Sequence, residues 1–274
     1  MKKTILPLML ASIVAISFTA CKKEAIQKVN NEVSESTLAQ IKAQGFSTQN
    51  VQKVDQGYLV EGDIILSDEQ LQSHPTTPNL LIAEEEQYHT FNLVNVSNYP
   101  TIKVALNNSS SQHQAVFSAA LDEAIRRYNA ENLRIKMQRV SSGANTTVVA
   151  FYEVSNTLGS SGFPSNNGAP YSQVKMNTYW YSTSTSTTNI NYIATIMAHE
   201  LGHCIGFRHT DYMNRAYSCG SGGNEGQTTT GVGAVLIPGT PSGPDAKSWM
   251  LACIGSNVNR PFNANDKVAL AYVY

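Results

Sequence analysis

Apolar and polar residues change rhythm several times along this chain, and each rhythm predicts an element. From Thr101 to Leu106 they alternate, the period of a strand with one buried face. Phe117, Leu121, Ala124, Ile125 and Tyr128 fall at helical spacing, giving a stripe along a helix that Ser111 and Gln114 open as a capping box and that runs to about Asn129. Extended patterns return over residues 133–140 and 146–153. A Gly/Ser/Asn/Pro-rich passage, 158–170, interrupts them before residues 173–181 resume the extended pattern. Ile190, Ile193, Met197, Leu201 and Ile205 restore helical spacing, with Thr188 or Asn189 as cap and Ala194 and Ala198 small enough for close packing. Beyond a long Gly/Pro-rich loop, residues 263–274 read as a capped terminal helix. The order strand, helix, strands, helix, loop, helix predicts an α+β domain beginning near Thr90.

The residues before it are organised differently. Residues 38–46 resemble a short helix stopped by Gly45, and residues 58–66 alternate as a strand. A Pro/Thr-rich link over 74–79 and the acidic run Glu84 to Glu86 then read as an exposed connection. At the amino terminus, Met1, Lys2 and Lys3 precede an apolar run from Ile5 to Phe18, and small residues stand immediately before Cys21. This is the pattern of a bacterial lipoprotein signal, with cleavage before Cys21 and lipidation of that cysteine; an ordinary secretory peptide with an incidental cysteine is the other reading. Either route ends outside the cytoplasm, in the cell envelope or the extracellular space. The run is too short for a membrane span.

Candidate chemistry is concentrated between His199 and His209, which read H-E-L-G-H-C-I-G-F-R-H. On a helix, His199 and His203 stand one turn apart and project the same way, a spacing that can grip one ion. Glu200 then lies beside the metal, not on it. Gly206 can leave right-handed helical space cheaply, so the chain can double back and bring His209 up as a third ligand. Three imidazoles leave one coordination position open, the requirement for a catalytic site. The short H-E-x-x-H form alone also occurs on surface helices; the glycine and third histidine at fixed offsets raise its specificity.

The whole H-E-x-x-H-x-x-G-x-x-H string, with Met250 beyond the following loop, resembles the metzincins, and His199 to Asp211 look most like the bacterial dual-action HEIGH metallopeptidases. The resemblance covers most of the chain after the signal. It implies a metzincin-like catalytic domain over 90–274: a twisted mixed sheet, a zinc-binding helix and a C-terminal helix. It further implies Zn2+ at His199, His203 and His209, Glu200 as general base, and Met250 as the methionine beneath the metal. Trp249 and Leu251 depart from the usual neighbours of that methionine, which leaves an ordinary core methionine as the alternative. Astacin-like relatives carry a tyrosine two residues after it; here Ala252 stands there, and no tyrosine switch is expected. The architecture also places a substrate-pairing edge strand between Pro170 and Asn177.

Residues 21–89 read as a leader after the signal peptide 1–20, and one short stretch of it carries a resemblance. Val60-Glu-Gly-Asp63 looks like the F-x-G-D motif of astacin propeptides, whose aspartate occupies the open zinc position until the leader is removed. Val60 replaces the phenylalanine, so Asp63 is either a latency residue or, the more frequent role of such a pair, one half of a strand-end Gly-Asp turn.

Of the remaining cysteines, Cys219 and Cys253 are the favoured disulfide, since both follow the histidine-bearing helix; Cys204 is then a small buried thiol, with Cys204 to Cys219 as the alternative pairing. Asp211 either supports a ligand or holds an exposed turn. His74, His89 and His113 read as surface or capping residues, and Tyr179, Trp180 and Tyr181 as an aromatic strand packed in the sheet in preference to a binding platform. A net charge of −1 with 14 % charged residues argues against a nucleic-acid surface. The expectation is a monomeric, lipid-anchored zinc endopeptidase acting on protein or peptide substrates. The competing class is a surface binding lipoprotein that keeps the scaffold without turnover. The sequence leaves open the natural target, the leader's cleavage point, the membrane leaflet and whether the loop 218–243 binds calcium.

Overall fold

The computed structural model describes residues 33–72, 87–107, 111–223, 231–241 and 243–274. Cys21 with its signal, the 74–79 link with His74, and the acidic run 84–86 lie outside the described residues, as does part of the loop 218–243. The described residues belong to one compact unit, Asn31–Tyr274. In chain order the elements are α1 (Glu35–Ala43), β1 (Gln52–Val54), β2 (Gly57–Val60), β3 (Ile64–Leu66), α2 (Asp68–Gln72), β4 (Tyr88–His89), β5 (Thr101–Asn107), α3 (Gln114–Ala130), β6 (Lys136–Arg139), β7 (Thr146–Phe151), β8 (Gly159–Gly162), β9 (Gln173–Asn177), α4 (Thr187–Cys204), α5 (Ala216–Cys219), β10 (Val235–Leu236) and α6 (Ala264–Val273). The class is α+β with a mixed sheet, as expected. No helix among the described residues is long and apolar enough to cross a membrane.

The sheet has eight strands in the order β1-β2-β3-β8-β9-β7-β5-β6. β5 lies parallel to both β6 and β7, β7 is parallel to β9, and β8 runs antiparallel to β9. Helices α3 and α4 pack on one another and against the sheet. Their apolar stripes meet strand residues Val104, Val148 and Val174 in the main core, together with Trp249, Met250 and Leu270. The stripe read from periodicity is the one buried: Phe117, Leu121, Ala124, Ile193, Met197 and Leu201 are all buried.

Two helix starts differ from the sequence reading. A 3-10 turn, Ser111–His113, precedes α3, so the helix opens at Gln114 and its cap position, His113, makes no capping hydrogen bond. The expected helix start at Ser111 is therefore displaced to Gln114. His113 is buried against Phe117, with Nε2 3.0 Å from the Tyr181 carbonyl oxygen. α4 is capped by Ser186, whose hydroxyl accepts from the Asn189 N–H. Asn189 instead ties the preceding loop, donating to the carbonyls of Ser182 and Ser184. The terminal helix α6 has the full reciprocal box between Asn263 and Asp266.

The Gly/Ser-rich passage is not an interruption. Its first part is β8, and a Cβ on Gly159 would stand 2.9 Å from Glu200 Oε1, while one on Gly162 would stand 2.7 Å from the Ile65 carbonyl oxygen. Small residues are required because α4 and β3 close directly on the strand backbone, which overrides low strand propensity. The edge expected at 170–177 is corrected in consequence: β9 lies inside the sheet between β7 and β8. β3 covers the outer side of β8 in a parallel register, Ile64 opposite Ser161 and Ile65 opposite Gly162. The strand segment 58–66 is itself an antiparallel hairpin, β2 and β3, turning through Glu61–Asp63. Its apolar side forms a second core of Ile41, Phe46, Val60, Ile64, Leu66 and Leu71, completed by Phe163 and Val232 from much later in the chain.

Candidate metal and catalytic site

Helix α4 ends just where the motif turns. Ile205 is its cap residue, and Gly206 takes φ 107°, a conformation that L side chains rarely adopt. A Cβ there would also stand 2.8 Å from the Asn92 carbonyl oxygen. The reversed chain is pinned by N–H groups of Gly206 and Phe207 donating to His203 and Gly202 carbonyls, and by Arg208 N–H donating to Tyr88. His209 is thereby returned to the face of α4 that carries the other two imidazoles. His203 Nε2 lies 3.1 Å from His199 Nε2 and 3.2 Å from His209 Nε2.

These distances suit one small cation. A tetrahedral ion with bonds of about 2.0–2.1 Å to nitrogen sets its ligands about 3.3 Å apart. His199 Nδ1 is 2.8 Å from the Trp249 carbonyl oxygen and His203 Nδ1 is 2.8 Å from that of Phe207. A carbonyl only accepts, so each Nδ1 carries the proton and each Nε2 presents a lone pair. Two facing lone pairs repel unless a positive charge lies between them. Asp63 completes the cluster, since its ligand atom and those of the three histidines all lie within 4.8 Å of one another. Burial and the two neighbouring imidazoles hold His203 well below the usual histidine range, which keeps it unprotonated.

Met250 lies fully buried in the turn after the long loop. Its carbonyl accepts from the Thr210 N–H, one residue past the third histidine, while the preceding carbonyl, that of Trp249, is the His199 partner. This turn therefore fixes two sides of the histidine cluster. It is anchored in its turn by Asp266, whose carboxylate accepts from Gln87 Nε2, Ser248 Oγ, Trp249 N–H and Asn263 N–H. Asp211 is fully buried and not an exposed turn residue; it accepts from Ser218 Oγ and the Ala252 N–H. The Cys219–Cys253 disulfide, with Cα atoms 5.2 Å apart, closes the same region, and Cys204 is a buried free thiol.

Glu200 is 2 % exposed and projects toward β8. Ser161 Oγ donates toward Glu200 Oε2 at 2.7 Å and lies 2.9 Å from the Glu200 carbonyl oxygen. Burial, then the nearby Asp63 carboxylate, push the Glu200 carboxyl well above its ordinary range. Asp63 behaves oppositely. Burial opposes its ionisation, but His209, His199 and Arg215 outweigh that and hold its carboxyl well below the usual value. Its Oδ2 lies 3.1 Å from His209 Nε2 and 3.7 Å from His199 Nε2. The strand-end and histidine-facing readings of Asp63 are thus one geometry: the turn between β2 and β3 is what aims the carboxylate. Glu61 precedes it with φ 58°, its Oε1 accepting from the Ser47 N–H and its Oε2 3.8 Å from Arg215.

Beside His199 and Glu200 a cavity of about 270 Å³ opens between α4 and the segment after Met250. Tyr179 and Trp180 are 44 % and 41 % exposed, and only Tyr181 is buried, so the three are not the packed strand expected; they follow β9 in a short turn, with Trp180 at the cavity rim. His89, half-buried in β4, has Nδ1 2.6 Å from the Thr90 carbonyl oxygen, apart from the histidine cluster. Ser161, Glu61 and Arg215 were not singled out by sequence. Glu61 stood inside a quoted motif, whereas Ser161 lay in a passage whose composition signals a loop.

Three imidazoles on a helix and its reversed tail, with a carboxylate beside them under a mixed sheet, define the class as a metallopeptidase. The particular family follows from comparison with known proteins: residues 58–274 match the dual-action HEIGH metallo-peptidase family, and the chain belongs to it. Membership implies a metal ion, and the Asp/His cluster fits one. The structure of myroilysin matches with a TM-score of 0.42 and 21 % identity, covering 68 % of this chain and 98 % of that one. No curated protein gives a significant match.

Proposed function

We propose that this chain is a latent zinc endopeptidase in which Glu200 is the general base and residues 21–89 are an inhibitory leader. The observation that carries the reading is the convergence of three Nε2 atoms beside a buried carboxylate that Ser161 holds in place. His199, His203 and His209 would hold Zn2+, which supplies a Lewis acid for the peptide carbonyl and lowers the pKa of water to about 7. Glu200 takes a proton from the attacking water and returns it to the departing amine, assistance worth about 10^2 to 10^4 in rate. Ser161 leaves one carboxylate oxygen engaged and the other available. The Nδ1 bonds to Trp249 and Phe207 keep the two helix imidazoles from rotating.

The same geometry supports latency. Asp63 directs its carboxylate at the histidine cluster, and β3 pairs with the edge of β8 that an extended substrate would otherwise address. The boundary near Thr90 and the cleavage of the connection before it belong to this proposal. So does lipid anchoring at Cys21 in the bacterial cell envelope, which the Lys-Lys, apolar, small-residue-Cys order supports and with which a disulfide-bonded body agrees.

The deciding experiment compares wild type with Glu200→Gln for zinc content and hydrolysis of casein or a peptide. Equal zinc with cleavage lost supports the mechanism. Both are also assayed after limited proteolysis of the connection before Thr90: cleavage unchanged in the variant removes Glu200 from this role, and zinc binding without cleavage in either protein after that treatment favours the non-catalytic binding lipoprotein.

A further inference from the structure

The cavity beside Glu200 carries a charge that the mechanism does not use. Its wall is mostly apolar, with Tyr192 and Ile196 from α4 facing Leu251 and Ile254 from the segment after Met250. Arg260 and Arg215 also line it, but Arg215 is turned to the hairpin and the histidines, its Nη1 3.8 Å from Glu61 Oε2 and 3.1 Å from His209 Nδ1. The Arg260 guanidinium donates to the Cys253 carbonyl through Nη1 at 3.0 Å, and among the described residues no carboxylate lies within ion-pairing distance of it. Burial works against its positive charge, while Asp211, Asp245 and Asp266 favour it from further away. The Arg260 N–H is fixed to Thr195 Oγ1, so the side chain leaves α4's neighbourhood from a defined point. Apart from Glu200, the carboxylates lining the cavity are Glu61 and Asp63, both in the hairpin proposed as the leader. A half-buried guanidinium in the wall of a mostly apolar cleft is a recognition device for a short aliphatic stem ending in a carboxylate, because charge-assisted hydrogen bonds gain strength where water is scarce.

We propose that this cavity receives the substrate side chain next to the scissile bond and that Arg260 selects glutamate or aspartate there. The inference rests on the peptidase reading and deepens it by naming the substrate class. Arg260 acts here as a specificity residue, while bond cleavage stays with Glu200 and the metal.

The test uses zinc-loaded full-length protein, unaltered and carrying Asp63→Ala, with peptides that differ only at the two positions flanking the cleaved bond. Glu or Asp at one of these positions should raise kcat/KM roughly 10- to 100-fold over Gln, the fold-change expected of one hydrogen bond to a charged group. Arg260→Met should bring that acid-to-amide ratio close to one, and Arg260→Lys should keep part of it. Arg260→Glu should turn the preference toward Lys. A circular-dichroism melt of each variant identifies any that fails to fold, and the Lys and Glu forms then carry the comparison. An acid-to-amide ratio that is already near one in the parent, or that survives in Arg260→Met, overturns the selectivity and leaves the peptidase reading standing. No cleavage of casein or any peptide by either zinc-loaded parent, before or after limited proteolysis of the leader, overturns both.

Discussion

Met250 Sδ occupies the space that a side chain at Gly202 would need: a Cβ on residue 202 would stand 2.6 Å from it, with Trp249 Nε1 at 3.1 Å. The fourth letter of H-E-L-G-H is therefore set by the turn crossing beneath it. Gly202→Ala should destabilise the fold by about 1–3 kcal/mol, the usual range for overpacking, and should weaken metal retention because Trp249 and Met250 hold the histidine cluster. Met250→Leu, which nearly conserves volume, should cost less than about 1.5 kcal/mol. Thermal melts with and without zinc check both; a Gly202→Ala protein as stable as wild type would mean the turn can move aside.

Asp63→Ala should raise the activity of unprocessed protein and speed zinc exchange with a chelator dye. It removes the carboxylate that is grouped with the three imidazoles among the described residues, while leaving the β3–β8 pairing in place. Activity unchanged in the intact chain would argue that strand pairing alone, and not the carboxylate, blocks the site.

Asp266 predicts a pH dependence of stability. Burial raises its carboxyl to about 6 despite four hydrogen-bond donors that favour the ionised form. A carboxyl raised on folding contributes stability that is fully present below its unfolded pKa near 4 and is lost as pH climbs through 6, a swing of about 3 kcal/mol. The stability difference between wild type and Asp266→Asn should accordingly shift in favour of wild type as pH falls from 7 to 4. Denaturant titrations at several pH values measure it, and a flat difference would place the carboxyl outside this window.

Opening the Cys219–Cys253 bond should lower stability by roughly 3 to 4 kcal/mol, the chain-entropy expectation for a loop of this size, whose ends are 34 residues apart. Urea unfolding of wild type and a Cys219→Ser, Cys253→Ser double variant gives the number. A much smaller loss would show that the Asp211 and Ser218 bonds hold the region by themselves.

The helices and the histidine string were legible because their information is local: periodic apolar residues in α3 and α4, fixed offsets from His199 to His209, and a cap at Asn263. β8 was not, because what makes residues 159–162 a strand is the closeness of Glu200 and Ile65, which are distant in sequence. The same reasoning explains why Ser161 and Arg260 went unnoticed. A serine in a Gly/Ser run and an arginine near a turn acquire meaning only when α4 is laid beside them. Tyr179 and Trp180 depart from the expected strand for a related reason: aromatic residues that follow a strand share its composition, and only the turn after β9 exposes them.

Phe163 and Val232 belong to the body of the chain by position but sit in the core built by the amino-terminal hairpin, and both are fully or almost fully buried there. If maturation strips that hairpin away, the body inherits an uncovered greasy patch together with the freed rim of β8. The mature protein would then be stickier than its precursor, and keeping the leader attached until arrival would serve solubility in transit as much as restraint of the chemistry.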